Sequence, residues 1–218
     1  MVAAKLALPH PILCLVTDRG LCRDLDDLAS RVVAAVDGGV NMVQVREKGL
    51  DGKPLLLLTE RVIQRVAGRA LVLVNDRVDV AMATGAGIHL PEASLPVAEV
   101  RRMAGEHVAL GRSVHSLDAA LQAEGDGADY LIAGTMFATR SHPGESLEGP
   151  ALMRRIADSV RIPVLGIGGI GDRNAVQVIA SGASGVAVIS SILATSDPSE
   201  AASRLRRALT QRESAGVR

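Results

Sequence analysis

Aromatic side chains are almost absent. The 218 residues include one tyrosine, Tyr130, one phenylalanine, Phe137, and no tryptophan. Base-stacking platforms for single-stranded nucleic acid are therefore missing, and the core must be aliphatic. An excess of either charge is absent too: 24 Lys and Arg balance 24 Asp and Glu, for a formal net charge of zero. Such a chain lacks the electrostatic footprint of a nucleic-acid or anionic-membrane binder, so neither partner is expected. The two cysteines, Cys14 and Cys22, have no CxxC spacing and make no disulfide framework; both are expected to be reduced. No apolar run reaches the roughly 18 residues a bilayer span needs. The opening MVAAKLALPH lacks the long apolar stretch of a secretory signal, and no HExxH-like metal cluster occurs. The expectation is a cytoplasmic globular protein.

What is present is a regular alternation. Eight apolar runs are expected to form strands: 12–18, 42–47, 70–76, 87–90, 107–114, 130–137, 163–169 and 185–190. Their near-continuous hydrophobicity suits parallel strands covered on both faces. Amphipathic segments lie between and after them, at 25–37, 53–67, 78–84, 97–104, 117–124, 151–159, 174–181 and 199–211. Glycines recur just before strands, as in DGGVNMVQV, TGAGIHL, GDGADYLI and SGASGVAVI, where a helix ends and the next strand begins. Eight such units without a linker predict a single (β/α)8 TIM barrel over residues 1–218, structured from about 11 to 213 with peripheral termini. A doubly wound open sheet is the alternative.

In a barrel the chemistry sits at the C-terminal ends of the strands. The residues expected there are almost all polar: Thr17 and Asp18; Gln44, Arg46 and Lys48; Asn75 and Asp76; His89; Ser113 and His115; Thr135, Thr139 and Ser141; Gly168 and Gly169; Ser190 and Ser191. The glycines of VLGIGGI (Val164–Ile170) and the serine pair of VAVISSI (Val186–Ile192) follow strands 7 and 8, the usual phosphate site of this fold. A small phosphorylated substrate is implied, with a ligand-free glycine turn as the plainer possibility. In VQVREKG, Gln44, Arg46 and Lys48 share one strand face and suit an anionic ligand; rim ion pairs with Glu47 or Asp18 are the alternative. Asp76 suits either a Mg²⁺ held beside phosphates or the N-cap of the next helix. His115 is an acid/base candidate just past strand 5, or a turn residue that contacts backbone. His89, inside its strand, reads as structural. Arg112 has no assigned role.

Taken in order, QxREK (44–48), ND (75–76), GRSxHS (111–116), a Thr/Ser loop after AGTMF (133–137), IGGI (167–170) and VISSI (188–192) resemble the thiamine-phosphate synthase and TenI-type superfamily along nearly the whole chain. The resemblance implies a (β/α)8 barrel of thiamine biosynthesis acting on a thiazole phosphate. Two activities occur in it: a Mg²⁺-dependent synthase that couples a pyrimidine pyrophosphate to the thiazole phosphate, and a tautomerase, needing no cofactor, that aromatises a dihydrothiazole carboxylate phosphate. It implies pyrimidine-pyrophosphate contacts for Gln44, Arg46, Lys48 and Asn75, a Mg²⁺ ligand in Asp76, and a pyrophosphate contact in Ser113. Thr139, Ser141, Gly169, Ile189 and Ser190 match thiazole-phosphate contacts, with Gly168 in the same glycine turn. His115 matches the tautomerase's proton-transfer histidine. Two departures stand out. Synthases carry a second acid where this chain has Ser94 in HLPEASLP, and a lysine where it has His142; Glu92 is a candidate replacement ligand, and His142, sharing that lysine's load with Lys48, is a candidate substrate-binding residue. These departures put the tautomerase first, the synthase second, and a non-catalytic thiazole-phosphate-binding or regulatory protein third. Homo-oligomerisation is compatible with all three.

Overall fold

The computed structural model describes residues 8–138 and 149–210. Eight parallel strands close into a barrel in chain order, the first pairing with both the second and the last. They are β1 (Ile12–Val16), β2 (Met42–Val45), β3 (Leu71–Asn75), β4 (Gly87–Leu90), β5 (Leu110–Val114), β6 (Tyr130–Gly134), β7 (Val164–Ile167) and β8 (Gly185–Val188). The helices are α1 (Leu25–Asp37), α2 (Gly52–Val66), α3 (Val78–Thr84), α4 (Val97–Ala104), α5 (Leu117–Gly125), α6 (Gly149–Ser159), α7 (Ala175–Ala180), α8 (Ser190–Leu193) and α9 (Pro198–Thr210). The expected single (β/α)8 barrel is the fold.

Strand alternation sorts the core into two layers. Inside the barrel pack Ile12, Cys14, Val16, Met42, Leu73, Tyr130, Ile132 and Leu165. Between barrel and helices pack Leu13, Leu15, Val43, Val45, Ile88, Leu110 and the apolar helix faces. Each such side chain, fully buried, contributes about 1.5–3 kcal/mol relative to exposure. Local caps agree with this arrangement. Asp24 accepts from the Asp27 amide at the start of α1, and Ser116 accepts from the Ala119 amide at the start of α5. Both cysteines are free thiols, and burial pushes that of Cys14 up to about 12. Among the described residues no helix is long and apolar enough to cross a membrane.

Most expected strands overrun at the C-terminal end. β2 stops at Val45 and β7 at Ile167, because the chain there leaves the ladder to build the mouth. At the end of β7 the cause is visible: Gly168 and Gly169 have φ of +102° and +63°, a conformation that breaks a strand and favours glycine.

Candidate active site

The polar ring expected from the sequence converges on one end of the barrel. In the interior, Gln44 is buried and donates from Nε2 to Asn75 Oδ1 at 2.8 Å. Its Oε1 is buried with no hydrogen-bond partner among the described residues, an acceptor that awaits a donor. Since β2 ends at Val45, Arg46 and Lys48 lie beyond the strand and its alternation, a correction to the expected shared face. They are held by Glu47, which the sequence offered only as a rim ion-pair partner. Glu47 is buried, accepts from Thr17 Oγ1 at 2.5 Å and from the Arg19 amide at 2.9 Å, and so ties the loop to β1. Thr17 Oγ1 in turn accepts from the Arg46 amide at 2.9 Å. Burial pushes the Glu47 carboxyl up, against the opposing pull of those two donors. Neither Arg46 nor Lys48 pairs with a carboxylate among the described residues, so the rim ion-pair alternative fails.

Lys48, Asn75, Asp76 and Ser94 line one cleft of about 420 Å³. Asp76 has φ of +67°, unusual for a residue with a Cβ. Its carboxylate accepts from Ser94 Oγ rather than capping α3, whose cap residue is Arg77 and has no side-chain cap bond. The N-cap alternative is thereby corrected. A second cavity, about 270 Å³ and lined by His10, Pro11, Ile179 and Leu209 among others, carries no ionisable group but His10 and is not the reaction site.

Arg112 has a role after all. Its strand neighbours Leu110 and Val114 pack between barrel and helices, so Arg112 lies on the outer side of β5. From there its guanidinium donates to the carbonyls of Glu92 at 2.6 Å and Leu95 at 2.9 Å. It fastens both ends of the loop between β4 and α4. That loop puts Ser94 on Asp76 and Glu92 beside His115, with Glu92 Oε2 at 3.8 Å from His115 Nε2. Glu92 thus faces His115 across the mouth. His115 Nδ1 lies 2.7 Å from the Gly134 carbonyl. A carbonyl only accepts, so Nδ1 carries the proton and Nε2 is the open nitrogen.

His89 is buried inside the barrel, with Nδ1 at 3.0 Å from the Tyr130 hydroxyl and Nε2 at 2.8 Å from Ser113 Oγ. Burial lowers it to about 3, helped by the charges of Arg112 and Arg46; it is neutral.

At the expected phosphate site, Gly168 and Gly169 are needed on steric grounds. A Cβ on the first would lie 2.6 Å from Thr135 Cγ2, and one on the second 2.8 Å from the Ala138 carbonyl oxygen. Asn174, missed from the sequence, shapes this turn by donating to the Gly169 carbonyl at 2.9 Å and accepting from the Gly171 amide at 2.8 Å. Ser190 is exposed at the first turn of α8, beside half-buried Ile189. Ser191 donates to the Ile170 carbonyl; it braces two loops and is not a free phosphate contact, a correction to its place in the ring. Arg31 closes the far end of α8 on the Thr195 carbonyl at 2.9 Å. Thr139, Ser141 and His142 lie outside the described residues.

Comparison with known proteins gives the family of the chain. A family model described as thiamine monophosphate synthase matches residues 13–192. Thiamine-phosphate synthase of Chlorobium luteolum is 44% identical over 202 residues, 90% of this chain and 92% of that protein. That of Chloroflexus aurantiacus is 43% identical over 201 residues, 89% of this chain and 90% of that one. The structure of thiamine phosphate pyrophosphorylase from Pyrococcus furiosus superposes with a TM-score of 0.82 at 36% identity, covering 91% of this chain and 95% of that one. The first two of these relatives carry the synthase name, the second of the activities weighed from the sequence, and the chain belongs to the thiamine monophosphate synthase family.

Proposed function

We propose that this member of the thiamine-biosynthetic family is a thiamine-phosphate synthase. It joins hydroxymethylpyrimidine pyrophosphate to a thiazole phosphate and releases pyrophosphate. The observation that carries this is Lys48, a cation that lines the cleft, with Arg46 two residues before it; neither has a carboxylate partner among the described residues. As the carbon–oxygen bond to pyrophosphate breaks, charge builds on the leaving group, and cations already in position lower that barrier. The buried, unpartnered Gln44 Oε1 suits the amino group of an aminopyrimidine. Gly168, Gly169, Ile189 and Ser190 suit the thiazole phosphate.

The donor set fits a magnesium ion that arrives with the pyrophosphate. Asp76 offers a hard carboxylate oxygen, and substrate phosphates and water would complete the shell. Ser94, already on that carboxylate, is a neighbouring hydroxyl oxygen. Among the described residues no group of three or more His, Cys, Asp or Glu side chains gathers to hold a metal unaided. When bound, the ion neutralises charge on the departing phosphates.

One observation favours a second activity, the tautomerase. His115 has its Nδ1 proton committed to Gly134 and its Nε2 open, half-exposed at the mouth. That is the arrangement of a proton shuttle. The deciding experiment supplies both substrates with Mg²⁺. Thiamine phosphate and pyrophosphate are expected in equal amounts, and Asp76→Asn is expected to abolish them. Aromatisation of the dihydrothiazole carboxylate phosphate without coupling would put the tautomerase first. Thiazole-phosphate binding with neither reaction would leave a binding protein.

A further inference from the structure

The inward-facing positions of β5 are Gly111 and Ser113, and a neighbouring side chain explains the glycine. A Cβ on Gly111 would lie 2.0 Å from Tyr130 Cζ. The two residues face each other in the register of β5 and β6, so the tyrosine ring occupies the space the glycine leaves. His89 faces Gly111 across β4 and β5. The ring stacking is tilted, with centroids 5.7 Å apart. The result is a chain of three polar groups, Tyr130 Oη to His89 Nδ1 and His89 Nε2 to Ser113 Oγ, running from the sealed interior to the half-buried serine at the mouth.

The direction of this chain follows from donor counting. Tyr130 is fully buried, and burial keeps its phenol protonated by pushing it well above its usual range. Its O–H needs an acceptor, and His89 Nδ1 is the one beside it. A neutral imidazole has a single N–H. If Nδ1 accepts, Nε2 carries that proton and donates to Ser113 Oγ. The serine's own proton is then free to point into the mouth. The opposite arrangement strands a buried phenolic O–H and spends the serine proton on Nε2, leaving only lone pairs toward the ligand.

We infer that Tyr130 and His89 are positioning residues that fix Ser113 as a hydrogen-bond donor toward an anionic oxygen of the substrate. The anion's identity as a pyrophosphate rests on the function proposed above. The relay itself does not. Tyr130 and His89 touch no substrate; they set the polarity of the hydroxyl that does.

Two measurements test this. The first uses unmodified protein labelled with ¹⁵N-histidine, where long-range ¹H–¹⁵N correlation reports which His89 nitrogen is protonated. The expected result is a protonated Nε2 and a bare Nδ1. A protonated Nδ1 overturns the inference without any variant. The second measures binding of inorganic pyrophosphate with Mg²⁺ by calorimetry. Tyr130→Phe keeps the ring over Gly111 and removes only the hydroxyl. It is expected to weaken binding about 10-fold and to shift His89 toward the other tautomer. Ser113→Ala is expected to weaken binding at least as much, and the double variant no further than Ser113→Ala alone. Additive losses refute the relay. A protonated Nε2 in a protein that binds no pyrophosphate supports the relay and overturns the functional proposal instead.

Discussion

Arg112→Ala tests whether the mouth is held together from outside the barrel. The guanidinium makes two hydrogen bonds to backbone carbonyls, 2.6 Å to Glu92 and 2.9 Å to Leu95. Hydrogen bonds from a charged donor contribute about 1.5–3 kcal/mol each when sheltered. These are at the surface, where solvent competes, and about half of the lower value each is appropriate, or about 1.5 kcal/mol together. That amount shifts the held-loop population by roughly tenfold. The loop joins Ser94 to Asp76 and brings Glu92 to His115, so both contacts loosen at once. The core does not depend on this residue, and the thermal midpoint is expected to move by no more than about 3 °C. The assay is steady-state coupling as a function of Mg²⁺ concentration. The expected outcome is a roughly tenfold rise in the magnesium needed for half-activation, with Arg112→Lys, able to reach one carbonyl, in between. Half-activation within twofold of the parent would refute the clamp. A large loss of stability would show that Arg112 supports the fold rather than the loop.

Three further outcomes follow from the same geometry. His115→Ala should lower any tautomerase turnover by about 10²–10⁴-fold while leaving pyrophosphate binding unchanged, checked by paired turnover and calorimetry; unchanged turnover removes the histidine from that chemistry. Gly111→Ala should drive Tyr130 off its position, since the added Cβ would lie 2.0 Å from Cζ; a loss of about 1–3 kcal/mol and a melting temperature lower by about 2–12 °C are expected in differential scanning calorimetry. Asp27 is held down to about 2 by the Arg23 amide and side chain, with Arg31 adding to them. Because its folded value is depressed, its stabilisation is complete above about pH 4 and fades as pH falls toward 2. Asp27→Asn should therefore flatten the acid limb of the urea midpoint in that window and leave the limb above it parallel to the parent.

The barrel was legible because its rules are local. Val78–Thr84, Val97–Ala104 and Leu25–Asp37 occupy the spans expected from period alone, since each is an apolar stripe ended by glycine or by the start of the next strand. Strand ends were less legible. The apolar runs continue past the ladder, and hydropathy does not distinguish a residue paired in a strand from one turning over the mouth. Glu47 illustrates the limit. Between Arg46 and Lys48 it looked like a rim carboxylate for either neighbour, yet it turns inward to Thr17 and the Arg19 amide. No one-dimensional pattern places a loop carboxylate against a hydroxyl 30 residues earlier.

The same limit explains why the two departures at Ser94 and His142 outweighed the intact motif when only the sequence was in view. Counted as letters, a lost acid is a lost ligand. In three dimensions Ser94 still meets Asp76, so the position remains at the site with an oxygen on it, though without a second charge. A metal shared with a pyrophosphate draws most of its negative charge from the substrate, and one protein carboxylate with an adjacent hydroxyl is a weaker but coherent donor set. The cations tell the other half. Arg46 and Lys48 stay unpaired because the carboxylate of Glu47, their natural partner in the chain, is taken by Thr17 and the Arg19 amide. Turning that single carboxylate inward leaves two positive charges for an anion. An arrangement that withholds its own counterion suits a substrate bringing several negative charges at once better than one whose chemistry is the movement of a single proton.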